Sequence, residues 1–159
     1  MALNDLKDNV VIVKNFIPFK ECIEFLQRVP ANFLLDGQEL SWEYRLVNIT
    51  AHPITSYVEN YWNNYFKTNK IKIYESVIQM WPPNSYSGFH VHDLNDRRQG
   101  TYNSILYLND NFSGGEFFTN KIKLKPEPGT LIFFNGKTTP HGLNRVFGNS
   151  RYAINFWMN

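Results

Sequence analysis

"TYNSILYLNDNFSGGEFFTN", residues 101–120, decides the architecture of this chain. Its first nine residues are rich in β-branched and aromatic side chains, a run of turn formers from Asp110 to Gly115 follows, and a second apolar run ends at Thr119. That is strand, turn, strand. The same punctuation continues in both directions from residue 71 onward. "KIYESVIQMW", "GFHVH", "KIKLK", "GTLIFFN", "PHGLNRV" and "RYAINFWM" read as strands, divided by "PPNSYS", "PEPG" and "FGNS". Short strands at regular spacing with turn signals between them predict a sandwich or barrel.

Upstream the chain has a different character. "NVVIVKNFI" reads as a strand, and Pro18 then opens a helix to about Val29. "LSWEYRLVNI" alternates as a strand. "PITSYVENYWNNYFKTN" starts with proline and carries Ile54, Tyr57, Val58, Tyr61, Trp62 and Tyr65 at helical spacing. The expectation is one domain over residues 1–159: an N-terminal strand and helix support over 1–70, and a mainly β core over 71–159.

With 159 residues, 43% apolar and 19% charged, the chain can bury an ordinary core without disulfides. A formal net charge of +2 with dispersed Lys and Arg leaves no nucleic-acid footprint. No stretch approaches a membrane span, and "MALNDLKDNV" lacks the apolar run of a signal peptide, so a soluble cytoplasmic protein is expected. The single cysteine, Cys22, lies on the apolar side of a helical pattern and reads as a core residue.

Four histidines carry the chemical signal. His52 precedes a helix and reads as a capping or exposed residue. His90 and His92, one residue apart, share a face if their strand runs on, and His141 follows about 50 residues later. Opposite strands of a barrel can converge at its mouth, and neutral imidazole is a common ligand for iron, zinc and copper.

Around these histidines stand Tyr107-Leu108-Asn109, Gly114-Gly115-Glu116, Lys125-Pro126, Gly129, Val146, Gly148, Arg151 and Trp157. This ordered set, over residues 71 to 159, resembles the iron(II)- and 2-oxoglutarate-dependent dioxygenases of the prolyl 4-hydroxylase-like group. The resemblance implies a double-stranded β-helix, or jelly-roll, core. It further implies Fe(II), 2-oxoglutarate as cosubstrate, O2, and ascorbate as a possible reductant. The expected reaction is hydroxylation of a C–H bond coupled to decarboxylation of 2-oxoglutarate to succinate, on a peptide, a protein (a peptidyl proline being one option) or a small molecule.

Register with the family makes His90 the first metal ligand, because Pro83-Asn84 stands where the family has proline and glycine six residues earlier. His92 then occupies the place of the family's aspartate. Either a bulge brings Asp93 to the metal, or His92 completes an all-histidine triad. Charge and family chemistry favour His90, Asp93 and His141; strand parity favours His92 as the alternative to Asp93. Arg151 is expected to grip the far carboxylate of 2-oxoglutarate, with Tyr107 and Asn155 as further candidates to hold it. Arg97 and Arg98, in the loop beyond the metal motif, are candidates to meet substrate. Trp81, Tyr86 and Phe89 could line the entrance. Two competing readings keep the barrel: a three-histidine cupin-type dioxygenase without 2-oxoglutarate, and a non-catalytic jelly-roll binding module.

Overall fold

The structure, a computed structural model, describes residues 1–30, 43–93 and 100–159. Arg97 and Arg98, and residues 31–42, lie outside the described residues. In chain order the elements are β1 (Val11–Val13), α1 (Phe19–Leu26), β2 (Tyr44–Asn48), α2 (Pro53–Phe66), β3 (Ile73–Trp81), β4 (Ser87–His90) and β5 (Tyr102–Tyr107). β6 (Ser113–Gly114), β7 (Phe117–Thr119), β8 (Lys123–Leu124), β9 (Leu131–Asn135), β10 (His141–Leu143), β11 (Val146–Phe147) and β12 (Arg151–Met158) follow.

The strands form a six-stranded major sheet, ordered β1-β9-β5-β12-β3-β2, a four-stranded minor sheet, β4-β10-β7-β8, and a two-stranded ribbon, β11-β6. Every pairing is antiparallel. This is the expected mainly β, jelly-roll architecture. The N-terminal strands join it directly. β1 is hydrogen-bonded to β9 and β2 to β3, so they form the two edges of the major sheet.

Alternation on the central strands separates two environments. From β12, Ile154, Phe156 and Met158 point to the helices, where they meet Phe25 of α1 and Val58, Trp62 and Phe66 of α2 in the main core. Ala153 points the other way, into a smaller cluster with Ile105, Phe117 and Phe134 between the sheets. Helix α2 starts as its sequence predicts. Pro53 takes a first-turn position, and His52 Nδ1 accepts the Ile54 N–H at 3.0 Å. Burial holds the His52 imidazole below its usual pKa, which keeps that nitrogen an acceptor. The indole of Trp62 is buried and donates to Ser104 Oγ at 2.9 Å, so its one polar atom is satisfied.

Several expected strands are shorter than their runs, "NVVIVKNFI" keeping only Val11–Val13. "KIKLK" keeps only Lys123 and Leu124 in a ladder. "PHGLNRV" divides into β10 and β11, because the first pairs with β4 and β7 and the second turns away to pair with β6. "GFHVH" leaves its strand at His90. Asn84 does take a glycine's place in the preceding turn, at φ +73°. Among the described residues no helix is long and apolar enough to cross a membrane.

Candidate metal and cosubstrate site

A cavity of about 240 Å³ lies between the two sheets. At one end His90 and His141 are cross-strand partners of β4 and β10, which brings their ring centroids to 4.4 Å. His92 arrives differently. It lies two residues past β4, its backbone N–H donates to the Gly136 carbonyl at 2.7 Å, and its ring centroid is 5.1 Å from that of His141. One ligand nitrogen from each of the three lies within 4.8 Å of the others. The structure therefore gathers His90, His92 and His141, while Asp93 is exposed and outside the group.

Gly136 is part of why His92 sits there. A methyl group at that position would overlap the His92 ring, so the imidazole lies flat on bare backbone. Neither strand periodicity nor a motif marks this glycine, which reads as one more turn residue in "NGKTTP".

The second ring nitrogens fix the tautomers. His141 Nδ1 is 2.7 Å from the Thr139 carbonyl, His90 Nδ1 is 2.9 Å from the Gly88 carbonyl, and His92 Nδ1 is 3.4 Å from the Gly100 carbonyl. A carbonyl only accepts, so each Nδ1 carries a proton, which leaves Nε2 as the nitrogen that each ring can offer a metal. Metal-binding histidines are commonly oriented this way through their other nitrogen. Burial, reinforced by the neighbouring His90 and His92, pushes the His141 pKa down to about 3. It is therefore neutral, the form that binds metal, throughout the physiological range. Three imidazole nitrogens on one side of a cation leave further positions open, a donor set that fits iron(II).

At another part of the cavity Arg151 is only 2% exposed. Its guanidinium carbon is 4.8 Å from the Tyr107 ring centroid, and no acid side chain pairs with it among the described residues. Arg151 Nε and Nη2 and the Tyr107 hydroxyl are all buried without a hydrogen-bond partner. Burial depresses the Arg151 pKa and raises that of Tyr107. A buried cation with open N–H groups is costly until an anion supplies the missing partner. The Gly-Gly turn assists this arrangement. Gly114 and Gly115 take φ +69° and +68°, and a Cβ on Gly115 would stand 3.2 Å from Arg151 Cδ.

Asn155, two rungs along β12 from Arg151, also faces the cavity. Its Nδ2 donates to Gln79 Oε1 at 3.0 Å and its Oδ1 has no partner, so as placed it offers an acceptor. Turning both amides over together would preserve their mutual bond and expose a donor for a carboxylate. Trp81 lines the cavity as expected, whereas Phe89 is 57% exposed and stacks edge-on against Phe118. Tyr86 lies under the Arg145 guanidinium at 4.5 Å. Glu43, Arg45, Gln79, Ser87 and Asn103 complete the polar lining, and none of them carries a sequence motif.

The sequence model of the 2OG-Fe(II) oxygenase superfamily matches residues 76–159. Human prolyl 3-hydroxylase 2 is 36% identical over a stretch covering 35% of this chain and 9% of the relative. Prolyl 3-hydroxylase 1 of Gallus gallus matches to the same extent. The chain thus spans under a tenth of the length of these curated relatives. The 2OG complex of the viral collagen prolyl hydroxylase from Paramecium Bursaria Chlorella virus-1 superposes with a TM-score of 0.74 at 19% identity, covering 99% of this chain and 98% of that one. A Pseudomonas putida prolyl-4-hydroxylase superposes with a TM-score of 0.68 at 14% identity, covering 99% and 96%.

Proposed function

This chain belongs to the 2OG-Fe(II) oxygenase superfamily, and from that premise we propose that it hydroxylates a substrate C–H bond with iron(II), dioxygen and 2-oxoglutarate. Bound iron(II) supplies the dioxygen chemistry that couples decarboxylation of the keto acid to succinate with oxidation of the substrate. His90, His92 and His141 would hold that ion through Nε2, with their Nδ1 protons fixed on backbone carbonyls. Arg151 and Tyr107 would bind the far carboxylate of 2-oxoglutarate, closing three open donors with one anion. Asn155 would orient it through the Gln79 amide. The apolar wall of Ile105, Phe117 and Phe134 excludes water around these groups.

The observation that carries this reading is the buried Arg151, with Nε and Nη2 unsatisfied, in the same cavity as the three clustered histidines. The histidine cluster alone would equally suit a three-histidine dioxygenase that needs no keto acid, and it is Arg151 that favours the 2-oxoglutarate enzyme. Residues 1–159 would act as one catalytic unit, cytoplasmic, with ascorbate maintaining the metal reduced. A peptidyl residue, prolyl in the named relatives, or a small molecule would be the substrate.

An anaerobic titration with iron(II) and then 2-oxoglutarate, followed by visible absorption, tests the assignment. A charge-transfer band requiring both additions is expected. It should vanish in His92→Ala and survive in Asp93→Ala. The reverse pattern would return the third ligand to Asp93. Tight iron binding with no band in the wild type would remove 2-oxoglutarate from the reaction.

A further inference from the structure

Once the three histidines and Arg151 with Tyr107 have been assigned, the cavity still contains a carboxylate that nothing explains. Glu43 immediately precedes β2, and its Oε2 is buried without a hydrogen-bond partner. Two residues on, Arg45 faces the same cavity beside its cross-strand partner Gln79. Among the described residues no ion pair joins Glu43 to Arg45. The Arg45 guanidinium instead lies over the Trp157 indole, 4.4 Å from its centroid, with its edge toward solvent. Trp157 is itself in register with Asn103 of β5, whose Oδ1 is a second buried acceptor without a partner.

A cavity wall that offers one acid, one fixed guanidinium and an amide oxygen is poorly matched to an internal prolyl residue. Its tertiary amide nitrogen carries no hydrogen, so Glu43 would depend on an N–H of a flanking residue, and an internal residue brings no α-carboxylate for Arg45. A hydrocarbon substrate would leave Glu43 with its desolvation cost uncompensated. A ligand with one ammonium and one carboxylate close together would satisfy both charges. The acid and the guanidinium sit two residues apart on one strand face, about 7 Å along the backbone, a separation that these two long side chains can close around a single small zwitterion.

We propose that Glu43 and Arg45 form a second recognition subsite in this cavity, which takes the ammonium and the carboxylate of a free α-amino acid as the substrate to be hydroxylated. Glu43 accepts from the ammonium, Asn103 provides a second acceptor, and Arg45 holds the carboxylate with the Trp157 ring as a floor. This inference rests on the oxygenase reading above. Burial also raises the Glu43 pKa, against the opposing pull of its own backbone N–H and then of Arg45.

The test uses the whole protein with iron(II) and 2-oxoglutarate under argon, and reads the intrinsic tryptophan fluorescence, to which Trp81 and Trp157 of the cavity contribute. Each standard L-amino acid is titrated beside its Nα-acetyl derivative and its α-amide. At least one free amino acid should bind, with each blocked form weaker by about tenfold or more, the loss expected when one charge-assisted hydrogen bond is removed. Glu43→Gln should abolish the preference over the acetyl form, and Arg45→Gln the preference over the amide. Titration of each variant with 2-oxoglutarate serves as its folding control. Equal binding of free and blocked forms overturns the subsite, as does a panel with no binder at all. If 2-oxoglutarate itself fails to bind, the oxygenase reading falls instead.

Discussion

On one face of β12, Ile154, Phe156 and Met158 are fully buried against two helices, and the polar atoms nearby are paired, as with the Trp62 indole and Ser104. On the other face of the same strand, Arg151 and Asn155 are almost as deeply buried, yet both hold polar atoms without protein partners. Desolvation acts equally on the two faces, so the difference lies in what completes them. The helix side is complete within the chain. The cavity side is complete only with ligands, and its open atoms record where those ligands' groups belong.

The largest effect tests the closed side. Trp62 is fully buried between Phe66 and Phe133, at ring centroid distances of 5.9 and 4.8 Å. Trp62→Ala should cost about 3–5 kcal/mol of unfolding free energy in chemical denaturation, while 2-oxoglutarate affinity in the folded protein stays near the wild-type value. A change in affinity as large as the change in stability would show that the two faces are not independent.

The open side should respond with the opposite sign. Arg151→Met removes a buried cation that lacks a protein partner, so the ligand-free protein should be at least as stable as the wild type. Its affinity for 2-oxoglutarate should fall by about 2–5 kcal/mol, the usual cost of truncating one member of a buried charge pair. Thermal unfolding with and without the keto acid measures both quantities. Destabilisation of the ligand-free protein on the scale of Trp62→Ala would mean that Arg151 supports the fold, and the contrast between the faces would collapse.

This contrast also sets how much of the molecule can be read in advance. Apolar alternation and turn residues are local, so the strands around "TYNSILYLN" and the proline-started helix α2 are legible directly. Arg151 and His141 are legible because they lie in a run of motif positions with fixed spacing. His92 is legible only as the alternative to Asp93, because the parity that argues for it assumes a strand that in fact ends at His90, and its ring is placed by Gly136, forty-four positions further along the chain. Glu43 is hidden for a related reason. Alternation in "LSWEYRLVNI" says that Glu43 and Arg45 share a face, but only the pairing of β2 with β3 says that this face is the cavity. Local periodicity thus reports which residues go together, and long-range register reports what they meet.

The smallest effect sharpens the comparison at a residue that touches the back of the site. Cys22 of α1 is fully buried on the helix side, with its Sγ 3.9 Å from the carbonyl oxygen of Tyr107, whose ring lies against the Arg151 guanidinium. Burial pushes its thiol pKa up to about 11, from an ordinary value of 9.0. The thiolate is the reactive form, so alkylation by iodoacetamide at pH 8 should be negligible in the native protein and should appear at the rate of unfolding. The folded state holds this proton more tightly than the unfolded state. Its contribution to stability is therefore complete below pH 9 and is lost as pH rises through 9 toward 11. A denaturation series across that window should show a shallow decline that Cys22→Ala removes. Rapid native-state alkylation at pH 8 would instead place the thiol in contact with water, and the helix side would no longer be the closed face.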